Sequence, residues 1–293
     1  MMADKKEVMS AIKKLMGYEY NGEKPIIVIG PKLGSSASPD RHLRVYAYGG
    51  CIGEIPAADS RCQFLLADEK YADFLDGKEK EELLSIMESG DKKAALCSDK
   101  YLELILKASD RKFIKKSNEP HERKIENRIL RRFMNDPALS WAAADMEFTL
   151  GKDSGKHDIV FYDASDKPSY IITELKYNCD STDNIGKHIE NMKKIYSVKE
   201  KVLQELNRRM KYLCEYGLVN ERFKNADEIK FAVLYVGGGY DNAKKDVISG
   251  GKTAFKKLDS SIKKNFYFEY AEDVNDIDIE KMKKTHLSEL FEK

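Results

Sequence analysis

Two runs rich in β-branched and aromatic residues constrain the chain most: His157-Asp158-Ile159-Val160-Phe161-Tyr162 and Tyr170-Ile171-Ile172-Thr173-Glu174-Leu175-Lys176-Tyr177. Between them lies Asp163-Ala164-Ser165-Asp166-Lys167-Pro168-Ser169, a turn-forming cluster, so the spacing predicts an antiparallel strand pair. Strand side chains alternate between faces, so Glu174 and Lys176 share one face while Leu175 and Tyr177 take the other. Asp158, on the neighbouring strand, can sit beside them. Two converging carboxylates form an oxygen cage of the kind Mg²⁺ prefers, and an adjacent lysine adds a group able to handle a proton.

The regions before and after this pair predict a mixed α/β chain. Lys5 to Met16 has helical apolar spacing, and 25–30, 43–48 and 61–66 are strand candidates. Segments 69–75, 78–87 and 92–107 predict three short helices. The polar, basic run at 109–117 places a domain boundary near residue 110, giving an N-terminal mixed α/β region over 1–110 and a second domain over 111–293. Glu119 to Asn135 predicts a helix with Asn118 as its N-cap. Met146 to Leu150 predicts a strand, ended by a hairpin-like turn at 151–155. A long helix or a helix pair follows over 183–216, then a strand at 229–236 leading into a Gly237-Gly238-Gly239 loop. A strand at 266–270 and a terminal helix over 278–291 complete the chain.

Composition excludes several classes. Charged residues are 34% and hydrophobic residues 42% of 293, a globular balance with enough chain to bury a core. The five cysteines are widely spaced with no C-x-x-C pair, which argues against a structural zinc site and for reduced thiols. No apolar run approaches the ~18 residues that span a membrane, and the N-terminus leads into an amphipathic helix rather than a signal core. The expected location is therefore cytoplasmic. Neither Pro31–Asp40 nor Gly250-Gly251-Lys252-Thr253 carries the full phosphate-loop pattern, so no nucleotide site is predicted.

Over residues 119–236 the predicted order is helix, three strands, helix, strand, with Glu126 on the first helix, Asp158 on the second strand and Glu174-Leu175-Lys176 on the third. This constellation resembles the PD-(D/E)XK nuclease superfamily, whose restriction-endonuclease-like core is α-β-β-β-α-β with a mixed sheet flanked by helices. The resemblance implies a Mg²⁺-dependent nuclease, with Mn²⁺ able to substitute, that hydrolyses phosphodiester bonds and acts as a DNA endonuclease. It implies metal binding by Asp158, Glu174 and the Leu175 carbonyl, a water-orienting or deprotonating role for Lys176, and a second ion or a metal water for Glu126. A homodimer is among the assemblies it allows. On helix statistics alone Glu126 reads as a solvated residue at the rim of an apolar stripe.

The chain departs from the family pattern in two ways. His157 stands where the family name has proline, and the helix after the E-x-K strand offers Lys187, His188, Asn191 and Tyr196 but no glutamine, which argues against a processive exonuclease. Net charge is only +1, yet residues 111–136 carry nine Lys and Arg against four Asp and Glu. Lys124, Arg128 and Arg131 of this segment, with Lys187, are the candidate contacts to backbone phosphates. An inactive nucleic-acid-binding or protein-interaction module on the same fold is the alternative, with Glu174 and Lys176 forming an ordinary strand salt bridge.

Overall fold

The computed structural model describes residues 4–29, 42–57, 62–114, 122–134, 141–148, 156–178, 185–219 and 223–291. The chain is mixed α/β and divides into two compact units between Arg128 and Ile129, inside one helix. The boundary expected near residue 110 falls within the helix that precedes it. The loop after the first strand, the Asn118 cap and the turn at 151–155 lie outside the described residues. Among those residues no helix is long and apolar enough to cross a membrane.

The N-terminal unit is built on an antiparallel sheet of β1 (Ile26–Ile29), β2 (His42–Ala47), β3 (Gly50–Pro56) and β4 (Leu65–Leu66), in that order. β3 was not predicted, because its two glycines weaken the strand signal, and the strand expected at 61–66 shrinks to the two residues of β4. The β2–β3 turn has positive φ at both Tyr48 (52°) and Gly49 (91°), the geometry that a tight two-residue hairpin requires. Glycine is needed at the second position for another reason too, since a Cβ there would stand 2.7 Å from the Arg123 carbonyl carbon.

Helices α1 (Lys5–Gly17), α2 (Gly77–Met87), α3 (Lys92–Leu96) and α4 (Asp99–Lys112) complete this unit, with a 3-10 turn over Glu69–Phe74. The single helix expected over 92–107 is split because Ser98 starts a new one, its Oγ accepting from the Tyr101 amide at 3.2 Å. Tyr101 is fully buried, and its hydroxyl donates to the Ile52 carbonyl at 2.7 Å while accepting from the Ala67 amide at 2.9 Å. That pair of bonds ties α4 to the sheet. Helix α5 (Glu122–Met134) begins in this unit and ends in the next.

The C-terminal unit holds a mixed sheet in the order β5 (Trp141–Phe148), β6 (His157–Asp163), β7 (Ser169–Tyr177), β8 (Glu228–Val236), β9 (Phe266–Ala271). β5–β6 and β6–β7 are antiparallel, whereas β7–β8 and β8–β9 are parallel. Both parallel connections run through helices, α6 (Ile185–Ser197) and α7 (Lys199–Glu215) in the first, α8 (Tyr240–Lys256) in the second. β7 and β8 are buried almost throughout, and β8 accordingly carries the unbroken apolar run 231–236. β5 starts five residues before the expected Met146, since Trp141 and three alanines carry little strand pattern of their own.

Each face of this sheet has its own cover. Phe133 at the end of α5 packs edge-on against Phe161 of β6, ring centroids 5.3 Å apart. On the opposite face Tyr170 donates to Asn207 of α7 at 3.0 Å, and Phe231 meets Tyr196 of α6. Gly237–Gly239 form the expected loop, and helix α8 after it passes through Gly250 and Gly251; a Cβ on Gly251 would come within 3.2 Å of Ile185 and Ile189, so the missing side chain lets α8 lie against α6. The expected terminal helix over 278–291 is instead two short helices, α10 (Ile279–Met282) and α11 (Ser288–Phe291), after the one-turn α9 (Ser260–Lys263). Between α10 and α11 the chain pairs with β9, the Phe268 amide donating to Thr285 and the Leu287 amide to Phe266, both at 2.9 Å. These bonds cover part of a strand edge that would otherwise be open.

Candidate functional site

The paired register of β6 and β7 ends at Ile159–Thr173, so Asp158 and Glu174 are the next residue of each strand beyond it. By the alternation of side chains along each strand, Asp158 falls on the face of Val160 and Tyr162, and Glu174 on the face of their partners Ile172 and Tyr170. Asp158 Oδ2 accepts from the Leu175 amide at 2.7 Å, which fixes the carboxylate across the strand pair. Lys176, two residues on from Glu174, donates Nζ to Glu174 Oε1 at 3.0 Å. The predicted sharing of one face by Glu174 and Lys176 is thus present as a direct contact.

Burial changes the electrostatics of that contact. Glu174 and Lys176 are 2% and 1% exposed, whereas Asp158 is half-buried. On the other side His188 of α6 brings Nδ1 to 2.9 Å from Glu174 Oε2. Burial pushes the Glu174 pKa up, but hydrogen bonding and positive charge from His188 and Lys176 outweigh it and hold the carboxyl below its ordinary value. Glu174 is therefore an ionised carboxylate inside the protein, with the Lys176 ammonium donating to Oε1 and the His188 ring close to Oε2. Each carboxylate oxygen has two lone pairs, so acceptor capacity for a cation remains.

His188 was named in the sequence only as one polar residue of its helix. Nothing in a single sequence separates it from Asn191 one turn on, because the rotation of α6 about its axis is set by packing. Ile185, Ile189 and Met192 are fully buried, and they orient the helix so that His188 faces β7. His157 is completely buried, opposite Phe148 in the β5–β6 register.

The remaining candidates lie as follows. Glu126, on α5, is 4% exposed, which corrects the solvated-rim reading. Lys124 is also buried; it is ion-paired with Asp110 and lies 5.0 Å from the Tyr48 ring centroid, so it is not a surface group for backbone phosphates. Its aliphatic stem completes the inner face of α5, which a count of charges along the helix does not reveal. Arg128 is exposed and 3.6 Å from Glu23, Arg131 is half-buried, and Lys187 is exposed next to His188 in sequence. Tyr240 is 47% exposed, while Tyr267 is buried against the His286 ring.

An irregularity in β5 adds a buried ion pair to the face that carries Glu174. Ala143 pairs with Phe161 but Asp145 with Val160, so Ala144 is an extra residue, a β-bulge. The bulge re-aims Asp145 onto the α7 side, where it forms a buried ion pair with Arg209. Arg209 also donates Nε to Glu205 at 2.9 Å and lies 5.2 Å from the Phe148 ring centroid. Compared with known proteins, the chain matches no family model, no curated protein and no solved structure.

Proposed function

We propose that the chain is a divalent-metal-dependent nuclease acting on DNA, built on a restriction-endonuclease-like core. The observation that carries the reading is the Asp158–Leu175 amide bond, because it sets Asp158 beside Glu174 and Lys176 on one face of an antiparallel pair. The element order α5, β5, β6, β7, α6 with α7, β8 in a mixed sheet supports the same assignment. The donor set of Asp158, Glu174 and the Leu175 carbonyl is all oxygen, which fits Mg²⁺ or Mn²⁺. When bound, such an ion would supply Lewis acidity, stabilising charge on the phosphate and acidifying an attacking water.

The chain's own residues do the rest. Asp158 and Glu174 bind and orient, and Lys176 Nζ, fixed by its bond to Glu174, holds the attacking water. Glu126 joins on the resemblance alone, as a ligand for a second ion or its water. Arg128, Arg131 and Lys187 are the phosphate contacts that remain once Lys124 is set aside. Incubation of plasmid and short duplexes in Mg²⁺ or Mn²⁺ tests the proposal. Cleavage is expected from wild type and from neither Asp158→Ala nor Glu174→Ala; cleavage that survives both substitutions would sink it.

A second reading is favoured by the positive groups against both oxygens of Glu174, Lys176 at Oε1 and the His188 ring near Oε2: a module on the same fold in which that cluster is purely structural. It requires nucleic-acid binding at low salt that is unchanged by EDTA, with no cleavage.

A further inference from the structure

We propose that His188 is a positioning residue that locks the Glu174 carboxylate in the rotation needed to receive a divalent cation; this rests on the metal-dependent reading above. A glutamate carboxylate turns about its last side-chain torsion over a broad, roughly two-fold well, so one tether leaves it free to swing. Here Lys176 holds Oε1 at 3.0 Å and His188 Nδ1 stands 2.9 Å from Oε2. Both atoms are buried and neither makes a well-formed hydrogen bond to any group among the described residues, so this 2.9 Å approach is the polar contact that each has. The helix that carries the imidazole is held in place: Ile185 and Ile189 are fully buried, and both lie against Gly251 of α8.

The His188 side chain is 17% exposed against 3% for Glu174, so it covers the carboxylate from the α6 side. Residues that orient a metal ligand from outside its coordination shell carry about 10–100-fold in metal affinity. His188→Asn keeps an N–H donor one bond from Cγ, as Nδ1 is, while His188→Ala removes it.

The test is calorimetric titration of Mn²⁺ into the full chain, which reads binding without any turnover. Wild type is expected to bind, Asp158→Asn to lose the site, His188→Ala to bind about 10–100-fold more weakly, and His188→Asn to recover most of that loss. His188→Ala equal to wild type, or His188→Asn as weak as His188→Ala, would overturn the inference while Asp158→Asn still reports the site. Absence of Mn²⁺ binding in wild type, or binding untouched in Asp158→Asn, overturns the metal reading and this inference with it. Should His188→Ala prove unfolded, His188→Met removes the donor at similar volume and takes its place in the comparison.

Discussion

Arg209→Ala is expected to be among the most damaging single changes in the C-terminal unit. Asp145 is 0% and Arg209 3% exposed, so truncating the arginine leaves a carboxylate in the interior without its cation. Breaking a buried pair from one side costs about 3–5 kcal/mol, a shift of roughly 10²–10⁴ in the folding equilibrium. That is a large share of the about 5–15 kcal/mol that holds a typical domain folded. Asp145→Ala is expected to cost less, because Arg209 keeps its bond to Glu205. Replacing both, as Asp145→Leu with Arg209→Met, removes the two charges together and is expected to lie within about 2 kcal/mol of wild type.

The assay is built in, since Trp141, the only tryptophan, lies buried on the same strand as Asp145 and donates to Glu280 at 3.0 Å. Its fluorescence in urea reports unfolding of this unit. A loss below about 1 kcal/mol for Arg209→Ala, or a double variant as weak as the sum of the singles, would refute the reasoning.

Glu269 is buried with its pKa raised, burial pushing it up and Lys281 offsetting only part. Its folded form holds the proton more tightly than the unfolded chain, so the destabilisation develops as pH rises through the carboxylate range and is complete at neutral pH. Glu269→Gln is therefore expected to raise the urea midpoint at pH 7 and to lose that gain below about pH 4, near the unfolded glutamate pKa; a gain undiminished in acid would contradict this. Gly49→Ala combines a positive φ with a contact to the Arg123 backbone and is expected to cost at least about 1 kcal/mol, read as a lower circular-dichroism melting point; an unchanged or higher one would show that the turn relaxes freely. If Lys187 contacts a phosphate, Lys187→Ala flattens the dependence of log affinity for duplex DNA on log salt by about 0.9, and an unaltered slope removes it from the interface.

The parts of this chain that could be read from sequence are those where local pattern and burial agree. β6 and β7 are dense in β-branched and aromatic residues because both faces of the sheet are covered, and the alternation of side chains then dictates that Glu174 and Lys176 share a face. Helix rotation and strand irregularity are set by packing and leave weaker marks. His188 meets Glu174 only because Ile185 and Ile189 are turned inward, and Asp145 reaches Arg209 only through the extra residue Ala144. Lys124 was counted as surface charge because its number along the helix says nothing of Asp110 across from it. Helix α8 was masked by the glycines that bring it close to α6, and the expected C-terminal helix gave way where 285–287 pairs with β9.

Crystals soaked in Mn²⁺ test the central claim most directly, through anomalous scattering at the metal's absorption edge. The account predicts a peak within coordination distance of both Asp158 and Glu174, lost in Asp158→Asn; a saturating soak that leaves no peak between those two carboxylates would contradict it.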